Sequence, residues 1–172
     1  MGRAKKQIEK KKKKAEQKQA QTKSGSATVA RNKRAGFDFH LGKEIIAGIM
    51  LTGPEVKSVR LGNVQMRGAY AKIIDAEIWL FNCHISEYKH AKNVGHEAER
   101  VRKLLLNRYE IERIELELQK TSKTLVASKI FFKGNHAKVL LHLGEGKKHS
   151  DKRSDLKKRQ QNLDVQRALK DY

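Results

Sequence analysis

The side chains in this sequence best suited to chemistry are cations that could meet phosphate. Gly146-Lys147-Lys148-His149, Asp151-Lys152-Arg153 and Lys157-Lys158-Arg159 fall within fourteen residues near the C-terminal end. Each Lys or Arg set on a phosphate releases counterions, which supplies affinity for nucleic acid without reading its sequence. Nearer the middle, Lys33, Arg34, Lys57, Arg60, Lys103, Lys133 and Lys138 could do the same, or could be solvated surface charges. Glu55 invites a catalytic reading. A carboxylate among cations more often pairs with Lys or Arg, or accepts a hydrogen bond from a base or ribose, and of these the contact to RNA is the one favoured here.

Other residues could suggest catalysis, but their spacing argues against it. His96-Glu97-Ala98-Glu99 with Cys83-His84 offers metal-ligand types, yet a zinc site wants three or four ligands at defined spacing. There is no second cysteine and no His-x-x-x-His pair. Cys83 and His84, as neighbours on a strand, would point to opposite faces and could not act as nucleophile and base. No Gly-rich loop ending in Lys-Ser or Lys-Thr is present to cradle a nucleotide. The expectation is a binding protein with no cofactor. A metal-dependent nuclease is the enzymatic alternative.

The charge distribution sets where those cations sit. The chain has 172 residues and a formal charge of +20. Residues 1–30 carry ten basic and two acidic side chains, 146–172 nine and four, and 31–145 twenty and thirteen. This is the pattern of one folded core (31–145) between a Lys-rich disordered extension (1–30) and a basic tail (146–172). A surplus of cations on this scale calls for a polyanionic partner. No apolar run approaches the roughly 20 residues that span a bilayer, so nucleic acid is favoured over membrane. A single cysteine excludes an intramolecular disulfide and suits the cytoplasm.

Residues 3–23 have almost nothing to bury, and Ser24-Gly25-Ser26-Ala27-Thr28 reads as a flexible joint. Phe37, Phe39 and Leu41 alternate with polar residues, and Ile45 to Leu51 is a β-favouring run, so both are expected as strands. A short helix over Glu55–Leu61, ended by Gly62, follows Gly53-Pro54. Tyr70–Ile74 and Ile78–Phe81 should form a hairpin, although the turn Asp75-Ala76-Glu77 lacks glycine. His84–Gly95 reads as a loop. Glu99–Gln119, with Leu105, Tyr109 and Leu116 at near-helical spacing, reads as one or two helices. Thr124–Phe132 and Ala137–Leu143 form a second hairpin around Gly134-Asn135. The tail, with Leu156, Leu163 and Leu169, could form a helix from Ser150 or Asp151 that orders on a partner.

The whole is expected to be mainly β: a small antiparallel barrel of the oligonucleotide-binding kind, with flanking helices and basic tails. In such a barrel aromatic rings can stack on unpaired bases. Of Phe37, Phe39, Tyr70, Trp79, Phe81, Phe131 and Phe132, at least five are assigned to the core. Tyr88 and one of Phe131 or Phe132 are expected to face outward.

The order of several short motifs resembles the small protein B (SsrA-binding protein) family. They begin with Gly25-Ser26-Ala27-Thr28, Asn32-Lys33-Arg34-Ala35, Ala47-Gly48 and Gly53 to Arg60. His84-Ile85-Ser86-Glu87-Tyr88, Arg100 to Leu106, Phe131-Phe132-Lys133 with Lys138-Val139, and Gly146-Lys147-Lys148 with Asp151-Lys152-Arg153 follow. The resemblance covers residues 24 to 172. It implies a barrel bound to the tRNA-like part of transfer-messenger RNA through Lys33, Arg34, Glu55, Lys57, Ser58, Arg60, Tyr88, Lys103, Leu105, Lys133 and Lys138. It also implies a tail, from Gly146 through Lys147, Lys148, His149, Asp151, Lys152, Arg153, Lys157, Lys158 and Arg159, that occupies the decoding centre and empty messenger channel of a stalled ribosome. A GTP-bound elongation factor would join through the RNA. A generic single-strand RNA or DNA binder is the alternative. Four positions depart from the family pattern: Ile46 replaces a Glu that contacts RNA, Glu87 and Ala98 replace prolines, and His149 comes one place early.

Overall fold

A computed structural model of the chain describes residues 27–88 and 96–169. The Lys-rich arm at 3–23, Ser24 to Ser26 of the joint, residues 89–95 of the expected loop and the last three residues lie outside the described part.

The strands are β1 (Ala27–Arg31), β2 (Phe39–Ile49), β3 (Val64–Gln65), β4 (Tyr70–Ile74), β5 (Glu77–Phe81), β6 (His84–Ile85), β7 (Arg102–Leu105), β8 (Thr124–Lys133) and β9 (His136–Gly146). The helices are α1 (Ala35–Asp38), α2 (Gly53–Arg60), α3 (Arg108–Lys120) and α4 (His149–Ala168). Every pairing is antiparallel, and the order β8-β4-β5-β7-β2-β9 closes on itself because β9 pairs β8 again. β1 extends the ring on β8, and β3 and β6 form a separate two-stranded piece. A closed ring leaves few free edges, and its interior is filled by alternate residues of each strand. Ile78 and Leu80 of β5, Leu104 of β7, Leu125 and Ile130 of β8 and Val139 and Leu141 of β9 are buried there. Each such side chain contributes about 1.5–3 kcal/mol by leaving water.

Helices close the ring. In α2, Pro54 sits in the first turn, where its missing N–H costs nothing, and the Thr52 N–H donates to Glu55 Oε2 at 2.7 Å. Gly62, at φ +81°, ends the helix as expected. In α3 the Asn107 N–H donates to Glu110 Oε2 at 3.0 Å, and Ile111 and Ile114 face the core. Both predicted hairpins form. The β4–β5 turn consists of Asp75 (φ 52°) and Ala76 (φ 59°), so two non-glycine residues hold the left-handed conformation. The β8–β9 turn has Gly134 at φ +60°.

Several expectations are corrected. Ala27–Arg31, which straddles the joint and the expected domain boundary, is a strand held along β8 from Ala27 opposite Phe132 to Arg31 opposite Lys129. Phe37 belongs to the short α1, not to a strand. His84–Ile85, within the expected loop, pairs with Val64–Gln65. The stretch from Glu99 is not helical at its start: Arg102–Leu105 alternates buried and open positions as β7, and the helix begins at Arg108. Leu105, Tyr109 and Leu116, the expected helical stripe, are exposed, because Ile111 and Ile114 fill the core instead. The C-terminal helix starts at His149, one residue early, where the Lys148 N–H donates to Asp151 Oδ2 at 3.2 Å.

Burial of the rings was also misread. Of the seven aromatic residues, at least five of which are expected in the core, only Phe131 is buried; Phe37, Phe39, Tyr70, Trp79, Phe81 and Phe132 are half-buried. Ala71 of β4 and Ile78 and Leu80 of β5 take the inner positions, and alternation then turns Tyr70, Trp79 and Phe81 outward.

Candidate nucleic-acid interface

Glu55, one of the expected contact residues, has no exposed surface. Arg100 grips both of its oxygens, Nε to Oε1 at 2.9 Å and Nη2 to Oε2 at 2.6 Å, and Arg102 Nε donates to Oε1 at 2.9 Å. The expectation that Glu55 accepts from a base or ribose is therefore corrected: two guanidinium groups and the Thr52 amide already use its oxygens. Ser58 is corrected in the same way. It is fully buried, and its hydroxyl donates to the Ser86 carbonyl, pinning α2 to the segment after β6. Arg102, itself fully buried, also donates to the carbonyls of Cys83 at 2.6 Å, Arg100 at 2.9 Å and Ala98 at 3.0 Å. The sequence reading missed Arg100 and Arg102 in this role, although Arg-x-Arg entering an apolar strand marks a cation that needs a buried partner.

Burial pushes the Glu55 carboxyl up, but the Arg100 hydrogen bonds, the Thr52 amide and the charges of Arg102 and Arg100 outweigh it and hold it down at about 2. A carboxyl lowered from 4.5 stabilises the fold fully above that value and loses the contribution as pH falls toward 2. The loss amounts to about 3 kcal/mol. The urea midpoint should therefore fall steeply between pH 4.5 and 2, and the variant Glu55→Gln should flatten that part of the profile. An unchanged profile would place the acid sensitivity elsewhere. Cys83, beside Arg102, is buried, and desolvation raises its thiol to about 11 despite that nearby cation. It is a neutral packing residue at neutral pH. Among the described residues no group of three or more His, Cys, Asp or Glu side chains is placed to hold a metal ion.

The remaining barrel candidates are accessible. Lys33 and Arg34 are exposed between β1 and α1, with Arg34 lying over the Phe37 ring at 5.9 Å and bonded to Asp38 at 3.3 Å. Lys57 on α2 is exposed and lies 5.4 Å over the half-buried Tyr88 ring, and Arg60, one turn on, lies 5.8 Å over Phe132. Lys133 is exposed beside the β8–β9 turn. On the outer face of the ring, the register sets Gly48 of β2 opposite both Leu105 of β7 and Lys138 of β9. A Cβ on Gly48 would come within 3.2 Å of Leu105 Cβ, so only glycine leaves Leu105 where it is. Leu105 is 50% exposed, and Leu105 and Lys138 line a groove of about 430 Å³ with Val56, Asn135 and His136. Ile46, two residues before Gly48, is 52% exposed, an apolar side chain facing water where a charged one would be at home.

The tail candidates divide into docked and free. Lys147 donates to the Gly36 carbonyl and to Asp155, both at 2.8 Å, and Lys152 bonds Asp38 at 3.0 Å while lying 5.7 Å from the Phe37 ring. Hydrogen bonding to Lys152 lowers the Asp38 carboxyl pKa against the opposing effect of desolvation, and the charges of Lys152 and Arg34 add to the lowering. Asp151 approaches His40 at 3.6 Å. Gly146 ends β9, and Lys148, His149, Arg153 and Lys157 are exposed. The side chains of Lys158 and Arg159 lie outside the described residues.

A closed antiparallel barrel with accessible cations over rings on its exterior and a cationic helix at one end is a nucleic-acid-binding protein in its architecture. The family model described as SmpB protein matches residues 29–171, and the chain belongs to that family. It is 46% identical over 144 residues to an SsrA-binding protein of Streptococcus agalactiae serotype III (strain NEM316), covering 84% of this chain and 93% of that one. An SsrA-binding protein of Carboxydothermus hydrogenoformans is 43% identical over 142 residues, covering 83% and 95%. Among solved structures, one described as "tmRNA-SmpB: a journey to the center of the bacterial ribosome" matches with a TM-score of 0.59 and 39% identity, over 70% of this chain and 85% of that chain. Among the described residues no helix is long and apolar enough to cross a membrane.

Proposed function

We propose that this chain is an RNA-binding adaptor of trans-translation: it binds the tRNA-like domain of transfer-messenger RNA and brings it to stalled ribosomes in the cytoplasm. The observation that carries this reading is the outer groove where Leu105 and Lys138 meet across Gly48, in a chain of the SmpB protein family. Lys138 offers a charge for phosphate, and Leu105 an apolar surface on which a base or ribose can lie. Lys33, Arg34, Lys57, Arg60, Tyr88, Lys103 and Lys133 extend the contact. Glu55 and Ser58 serve it only by fixing α2. The tail from Gly146 occupies the decoding centre and the empty messenger channel, and a GTP-bound elongation factor joins through the RNA. The chain itself breaks no bond.

Binding to the tRNA-like domain should exceed binding to an ordinary tRNA by about tenfold or more at moderate salt, since sequence-independent phosphate contact alone would fall away as salt rises. Lys138→Ala should weaken the first and not the second. Equal binding of both RNAs that vanishes with salt would mark a generic polycationic binder and overturn the proposal.

A further inference from the structure

The outer face of β4, β5 and β7 carries a set of rings and cations that lie outside the core. Tyr70 lies opposite Phe81, Lys72 opposite Trp79 and Trp79 opposite Lys103, so all five point away from the core. Tyr70 and Phe81 stack at 5.4 Å between centroids with planes 14° apart. Lys72 lies 5.6 Å from the Tyr70 ring, and Lys103 lies 6.0 Å from Trp79. The acidic group on this face is Glu77, which accepts a hydrogen bond from Lys103. The inner positions of the same strands, Ala71, Ile78 and Leu80, are buried, so the rings are surplus to the core.

We propose that this face is a stacking surface for unpaired RNA bases, with Trp79 at its centre. It rests on the reading of the chain as an RNA binder and enlarges the surface that the RNA touches. Charge and shape point to RNA. Flat rings give each base a π-face to lie on, and cations within reach of the rings meet the backbone between bases. The surface is also continuous with the groove at Lys138. Leu105 is two residues beyond Lys103 on the same face of β7, about 7 Å away, and Gly48 opens the way from Leu105 to Lys138. One strand of nucleotides could therefore run from Lys138 past Leu105 and Lys103 to Trp79 and Tyr70.

Trp79 is the only tryptophan, so its fluorescence reports on this face alone. Acrylamide quenching of the full chain would be measured with and without saturating tRNA-like domain, binding being followed independently by filter retention. Protection of Trp79 by about threefold or more is expected, as for a ring covered by a base. Trp79→Ala should weaken binding about tenfold and Trp79→Phe, which keeps a ring, by much less. Because Trp79→Ala could also loosen the barrel, the unmodified chain carries the deciding measurement. RNA bound with quenching unchanged would overturn the stacking surface and leave the RNA-binding reading standing. RNA that failed to bind at all would overturn both.

Discussion

A chain ending at Lys148 is expected to bind the tRNA-like domain within about threefold of the full chain, yet to lower trans-translation on stalled ribosomes, read as peptide tagged from the transfer-messenger RNA, by about 100-fold or more. The first half follows from what α4 does for the barrel. None of its described residues is buried, and Leu156, Leu163, Val165 and Leu169 are 42–73% exposed. Its contacts with the body include Lys152 with Asp38, Asp155 with Lys147 and Asp151 with His40, partly exposed pairs of the kind worth about 0–1 kcal/mol each. Truncation removes seven basic and four acidic side chains, taking the formal charge from +20 to +17. Counterion release on the remaining barrel changes little. The second half follows from what α4 is left with. Twenty helical residues span about 30 Å, carrying exposed cations and uncovered leucines that only a partner can use. Tagging in a reconstituted translation system, paired with RNA binding, is the measurement. If the truncated chain lost RNA binding and tagging together, the tail would belong to the RNA contact and not to the ribosome.

The parts of this fold legible in the sequence are those where local chemistry and tertiary packing agree. The β8–β9 hairpin, with Gly134 at its turn, and α2, with Pro54 at its start and Gly62 at its end, are written in turn and cap residues. β7 was misread because Arg102-Lys103-Leu104-Leu105 is four helix-favouring residues. It is a strand because β5 and β2 accept it on both edges, which no local pattern reports. The sequence places most of the strand aromatics in the core without saying which, and in β5 Trp79, Phe81 and their neighbours Ile78 and Leu80 are all apolar. Alternation then fixes that two face out without saying which two. The closing of the ring through β8 settles the matter. The same limit hid the role of Glu55: Arg100 and Arg102 lie 45 and 47 residues from it in sequence, and only the fold brings them to the carboxylate.

Glu55→Gln should cost about 3–5 kcal/mol of unfolding free energy, the range for removing one partner from a buried ion pair. The change keeps size and an acceptor, but it leaves Arg102, with no exposed surface, as a cation lacking its counter-charge. Arg102→Lys should not restore what Arg102 does. The guanidinium reaches one carboxylate oxygen and three backbone carbonyls at once, and an ammonium on a flexible stem cannot span them. Through the carbonyls of Cys83, Ala98 and Arg100 the guanidinium ties the residue before β6 to those entering β7, so their release should loosen that end of the barrel. Replacing both Glu55 and Arg102 by apolar residues should cost less than the sum of the single changes, since neither charge is then left alone. Urea unfolding of the two single variants and the double variant gives the coupling. Affinity for the tRNA-like domain, measured at a temperature where each variant is folded, should stay within about twofold, because a side chain without exposed surface does not touch RNA. An intact fold with RNA binding lost in Glu55→Gln would reverse the assignment and return Glu55 to the interface.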